Sequence, residues 1–166
     1  MKLSGVTLFA TVVPFIFFAS AFATAQADGD IVVQSIAETE VEVIGPAARK
    51  EKKRQPVVLA IPGSQVIYTT RFTNKGTKPA GSVVINNPIP ENTVFVSGSA
   101  FGASTAITYS VDGGKHYDLP TKLKIKIAGG TERSAEPRDY THIRWSYVGE
   151  LAPGKRGEVG FRVVIK

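Results

Sequence analysis

The chain has 166 residues, 43% of them hydrophobic and 20% charged, with a formal net charge of +6 and no cysteine. Once a leader is set aside, this is the size of one ordinary domain, long enough to bury a core without covalent staples. The lack of cysteine excludes disulfides, thiol catalysis, cysteine metal sites and a lipobox-type lipid anchor, and the lack of an Asn-x-Ser/Thr sequon removes any N-glycan acceptor.

In chain order, the first element is a leader. Lys2 supplies a positive start, Val6 to Phe22 is almost wholly apolar around Pro14, and Ala23-Thr24-Ala25 and Ala25-Gln26-Ala27 are both small-x-small sites. That order predicts a secretory signal peptide over 1–27, cut before Gln26 or Asp28. The apolar run is near the lower limit of about 17–25 residues for a spanning helix, so an uncleaved anchor is the rival reading. Pro14 and the small-residue exit favour cleavage. An exported, cysteine-free chain suits a bacterial envelope, and the expected address is the periplasm or the cell exterior.

After residue 30 the hydrophobic pattern has a period of two, with no sustained helical period. Strands are expected near 31–36, 39–44, 56–61, 65–73, 81–86, 93–97, 105–111, 122–128, 141–148 and 157–165. Several carry a clear stripe. Val66, Tyr68, Thr70 and Phe72 form one, and Ile143, Trp145 and Tyr147 face away from His142, Arg144 and Ser146. Leu123, Ile125 and Ile127 alternate with three lysines. Val159, Phe161, Val163 and Ile165 end the chain. Successive side chains point to opposite faces of a strand, so each stripe can face one core. Gly and Pro turns separate these runs, among them Pro62-Gly63, Asn74-Lys75-Gly76, Asp112-Gly113-Gly114 and Pro153-Gly154. Together they predict an all-β antiparallel sandwich of about seven to ten strands, one domain over 28–166, with almost no helix.

Residues 45–56 read as a loop or a linker rather than a strand, the loop being favoured, with residues 28–44 supplying edge strands. The loop holds most of the excess positive charge, at Arg49, Lys50, Lys52, Lys53 and Arg54, broken only by Glu51. Such a run either remains solvated or contacts an anionic polymer or lipid. Nucleic acid ranks last for an exported protein.

Pro62-Gly63, a strand carrying Tyr68, Phe72-Thr73-Asn74-Lys75-Gly76-Thr77, Pro79-Ala80, Val83-Val84 and Asn87-Pro88-Ile89-Pro90 follow in order. Gly149-Glu150-Leu151-Ala152-Pro153-Gly154 and a final alternating strand close the chain. This pattern, over about 57–166, resembles the conserved-repeat domain of bacterial and archaeal surface proteins, the domain of unknown function numbered eleven. Asn87 stands where that family usually has Asp. The resemblance implies an immunoglobulin-like or prealbumin-like sandwich of the cell envelope, and it brings no catalytic residues. The family occurs as tandem copies, whereas one copy is present here, which favours a free periplasmic or secreted protein over a stalk.

Other constellations point away from catalysis. Ser110-Val111-Asp112-Gly113-Gly114-Lys115-His116-Tyr117 has the loose Asp-box form, in which the carboxylate caps backbone N–H groups of a turn. His116 and His142, the only histidines, lack metal-ligand spacing, and Gly98-Ser99-Ala100 lacks a nucleophile elbow. Trp145 and Tyr147 are expected in the core rather than on a sugar platform. The sequence predicts a non-enzymatic envelope module needing no cofactor. Its partner is another envelope protein or an envelope polymer, and contact is through strand edges or, alternatively, through Arg49–Arg54 to an anionic glycan or lipid head group.

Overall fold

The computed structural model describes residues 23–28, 30–46 and 49–166. The predicted leader therefore lies outside the described residues except at its last few positions. Among the described residues, twelve strands run in chain order. They are β1 (Thr24–Asp28), β2 (Ile31–Ile44), β3 (Lys50–Pro56), β4 (Gln65–Asn74), β5 (Gly81–Pro88), β6 (Thr93–Phe95), β7 (Phe101–Gly102), β8 (Thr105–Ser110), β9 (Lys124–Lys126), β10 (Glu132–Ser134), β11 (His142–Tyr147) and β12 (Arg156–Ile165).

The strands build an all-β, immunoglobulin-like sandwich with no barrel closure. One sheet has the order β1-β5-β11-β8, and the other has β3-β2-β4-β12-β6, with β7 also pairing with β12. Strands β9 and β10 form a separate two-stranded ribbon. All pairings are antiparallel. A 3-10 turn spans Pro137–Asp139.

The expected stripes fill the space between the two sheets. Ile143 and Trp145 from β11 meet Val159, Phe161 and Val163 from β12, and all five are fully buried. Trp145 lies 6.1 Å from Phe161, and Phe95 lies 5.6 Å from Tyr109, each pair joining the two sheets. Aromatic contacts at these separations add to the burial that holds the layers together. The interior also carries a polar link between the sheets. Asn87 of β5 donates from Nδ2 to the Thr70 hydroxyl of β4 at 2.9 Å, and Ser35 of β2 lies 2.9 Å from that same hydroxyl.

Several expected boundaries change. The two strands expected at 31–36 and 39–44 are one continuous strand, β2. The segment 56–61 is not a strand. Pro56 and Pro62 bracket a crossing in which Val57 still donates to Ala37 but Ala60 turns into the core. Conversely, most of the expected 45–56 loop is strand β3, because β2 offers it an acidic partner face, described below. The 122–128 run shrinks to β9, which belongs to the small ribbon. Of its expected buried face only Leu123 is buried, and Ile127 is 43% exposed.

The two halves of the sequence motif meet in space. Asn74, fully buried at the end of β4, donates from Nδ2 to the carbonyls of Lys78 and Leu151, both at 2.8 Å. Its Oδ1 accepts from Gly76 N at 2.9 Å. Ala80 and Leu151 exchange backbone bonds, and Gly154 donates to the Asn74 carbonyl. One buried amide side chain thus bonds three backbone groups, two in its own turn and the Leu151 carbonyl that also accepts from Ala80 N.

Candidate functional site

At the other end of β4 the second sheet runs on alone. Ile31 to Glu38 of β2 pair with β4, whereas Glu38 to Ile44 pair with β3. Strand β4 begins at Gln65, so β2 and β3 continue past it as a two-stranded arm. The arm's charge pattern explains its pairing. Glu38, Glu40 and Glu42 occupy alternate positions on β2, and across from the last two stand Arg54 and Lys52. Lys50 Nζ lies 3.2 Å from Glu42, and Arg54 and Lys52 lie 3.9 and 4.0 Å from Glu40. Opposite charges facing one another across an antiparallel pair favour that register, and lysines on an edge strand discourage a further strand from adding there.

Glu40 also ties the arm back to the sandwich. Its carboxylate accepts from Arg162 of β12 at 2.6 Å. That bond, helped by the charges of Arg162, Lys52 and Arg54 and opposed by burial, holds Glu40 below the usual carboxylate range. Arg162 also donates to the Gln65 side chain at 3.0 Å. Between arm and sheet lies a groove of about 300 Å³ lined by Glu40, Glu42, Lys52, Ile67 and Arg162 among others. Farther along β12, Arg54 sits 5.4 Å over the ring of Phe101. Phe101 itself packs on Gly160, where a Cβ would strike the ring. This cover also explains why Ile67 and Thr69, on the outer face of β4, are buried.

The five basic residues named from the sequence therefore divide. Lys50, Lys52 and Arg54 share one face of β3 and each has a glutamate partner. Arg49 and Lys53 are exposed and make no ion pair among the described residues. The structure does not gather the five on one uncompensated surface. Reading 38–42 and 50–54 together would have shown this, because the alternating glutamates of β2 are the complement of the basic run.

This end of the molecule also exposes apolar residues. In the crossing between β3 and β4, Val58 is 96% exposed, Leu59 79% and Ile61 58%. Ile44, at the tip of the arm, is also exposed. Sequence reasoning placed 56–61 in a strand and missed this patch. Its signal was the pair of prolines around an aliphatic run.

The Asp-box segment folds as a turn device. Asp112 Oδ1 accepts from the Ser110 hydroxyl at 2.7 Å and from the amides of Lys115 and His116 at 3.1 and 3.0 Å. Its Oδ2 lies 2.6 Å from His116 Nδ1. The backbone and side-chain bonds from His116, with that from Ser110, hold the Asp112 carboxyl far below the usual carboxylate range. Gly113 and Gly114 take φ of 76° and 83°, the left-handed conformation this turn requires. Tyr117 then lies on the outer face of the first sheet, its ring 3.7 Å from the Arg144 guanidinium. Asp118 accepts from Leu119 N and lies 3.8 Å from Lys122. No group of three or more potential metal ligands forms among the described residues.

His142 stands on that same outer face. Its Nδ1 is buried without a hydrogen-bond partner. Burial pushes its pKa down, against the raising effect of the Asp112 charge. In the loop before β11, Asp139 receives a two-pronged bond from Arg133 at 2.7 and 2.9 Å, so those residues pair as structural partners. No helix among the described residues is long and apolar enough to cross a membrane. No family model, curated protein or solved structure matches this chain.

Proposed function

We propose that this protein is a non-enzymatic, exported β-sandwich of the cell envelope that binds another envelope protein at the arm end. The carrying observation is the exposed run of Val58, Leu59 and Ile61 beside a self-neutralised arm. Contiguous exposed aliphatics mark interaction surfaces, and charged residues around an apolar centre give such a surface register and selectivity. The polar groups near the groove are committed to one another, as Glu40 is to Arg162, which supports a structural role for them over a catalytic one. The resemblance to the conserved-repeat surface domain, carried by Pro62–Pro90 and Gly149–Lys166, supports the envelope address.

Binding of an anionic glycan or lipid head group is the weaker reading, because three of the five cations already have acidic partners. Site-specific photo-crosslinking in the intact envelope tests the proposal. A crosslinker at Leu59 should give a discrete protein adduct that persists at high salt, and one at Lys115 should not. An equal pattern at both positions, or none at Leu59, would overturn it. Loss of binding to an anionic polymer with rising salt, with no protein adduct, would favour the second reading.

A further inference from the structure

Strand β1 occupies residues that the leader was expected to remove. Thr24, Ala25 and Gln26 pair with Asn86, Ile85 and Val84 of β5, and Asp28 pairs with Gly81 past a register shift. Cutting after Ala25 would remove the first two paired residues, and cutting after Ala27 would leave only Asp28. The first cut uncovers Ile85 and Asn86 of β5 and the second uncovers Val84 as well, a stretch of edge that carries no charge. An uncharged, unpaired edge is the kind that templates unwanted pairing. Of the other outer edges, β3 is instead protected by lysine, arginine and glutamate, whereas β8 is uncharged.

The sequence holds two earlier small-x-small triplets, Ala19-Ser20-Ala21 and Ala21-Phe22-Ala23, and the second ends immediately before β1. A cut after Ala23 falls one residue before β1 begins at Thr24. It keeps the whole strand and leaves the new amino group on exposed Thr24. We propose that the leader is removed at the Ala23–Thr24 bond, so that β1 is the N-terminal edge strand of the mature protein. A leader peptidase of the exporting cell would add water across that bond. Ala23 keeps the carboxylate and Thr24 gains the α-amino group, with no other reactant. The inference rests on the export reading above.

The test is to express the full chain in an exporting bacterial host, recover it from the periplasm or medium, and determine its intact mass and N-terminal sequence. A chain starting at Thr24 is expected. A start at Gln26 or Asp28 overturns this inference and leaves export standing, whereas an unprocessed chain overturns export and this inference together. Ala21→Leu spoils the triplet ending at Ala23 but leaves the two later ones intact. It should shift the start to Gln26 or Asp28, with at least about tenfold faster hydrogen exchange along β5, because a paired edge has become open. Unchanged β5 protection in that shortened product would show that β1 does not cover the edge.

Discussion

At one end of β4, Asn74 ties its own turn to Leu151 through three hydrogen bonds, the one to Leu151 buried. At the other end, beyond Gln65, β2 and β3 run out as a ribbon held by exposed glutamate–lysine and glutamate–arginine pairs. The first end is fixed by buried hydrogen bonds, which are costly to leave unmade. The second is fixed by surface ion pairs, whose usual worth is about 0–1 kcal/mol each, and a two-stranded ribbon is marginal on its own. The same fold thus has a rigid end, which sets the module, and a yielding end, which carries its exposed aliphatic patch.

The largest expected effect lies between the ends. Trp145→Ala should destabilise by about 3–5 kcal/mol in denaturant unfolding, the usual cost of deleting a core aromatic. A near-neutral result would break the picture of a single core joining both ends. Asn74→Ala should cost about 1–3 kcal/mol, because it removes the side-chain donor to the Lys78 carbonyl and one of the two donors to the buried Leu151 carbonyl. A loss below that range would show that the motif end is held chiefly by its backbone bonds.

A smaller effect concerns pH. The folded pKa of His142 is depressed by burial, so the unfolded chain takes up its proton first. Stability from this residue is therefore complete above the unfolded value of about 6.5 and declines as pH falls through it toward the folded value. Unfolding free energies across that range should fall more steeply for the natural chain than for His142→Gln. Parallel curves would contradict the buried imidazole. Smallest of all, replacing Arg49, Lys50, Lys52, Lys53 and Arg54 together with Gln should shift the melting temperature by no more than about 2–4 °C, since surface pairs contribute little. A larger drop would mean that the arm braces the sandwich.

The stripes of β4, β11 and β12 were legible in the sequence because each alternates about one buried face. The Asn74 and Asp112 turns were legible from Gly and Asx chemistry. The bond from Asn74 to Leu151 was not, because it joins residues 77 positions apart and no local pattern encodes it. Strand β3 escaped because Lys and Arg are not strand-favouring residues, and its stability comes from a partner strand. The burial of Ile67 and Thr69, opposite the expected stripe of β4, was not legible, because it comes from the arm, Phe101 and Arg162 covering that side of the sheet. The exposure of Val58, Leu59 and Ile61 was hidden because an aliphatic run bounded by turn residues reads as a buried strand whether or not a sheet receives it.

The contrast between the ends passes through one strand, β2, so segment-resolved hydrogen exchange along it is the most direct test. The account predicts strong protection for 31–37, paired with β4, and exchange at least about tenfold faster for 39–44, accelerating further with added salt. Uniform protection from Ile31 to Ile44, unaffected by salt, would contradict it.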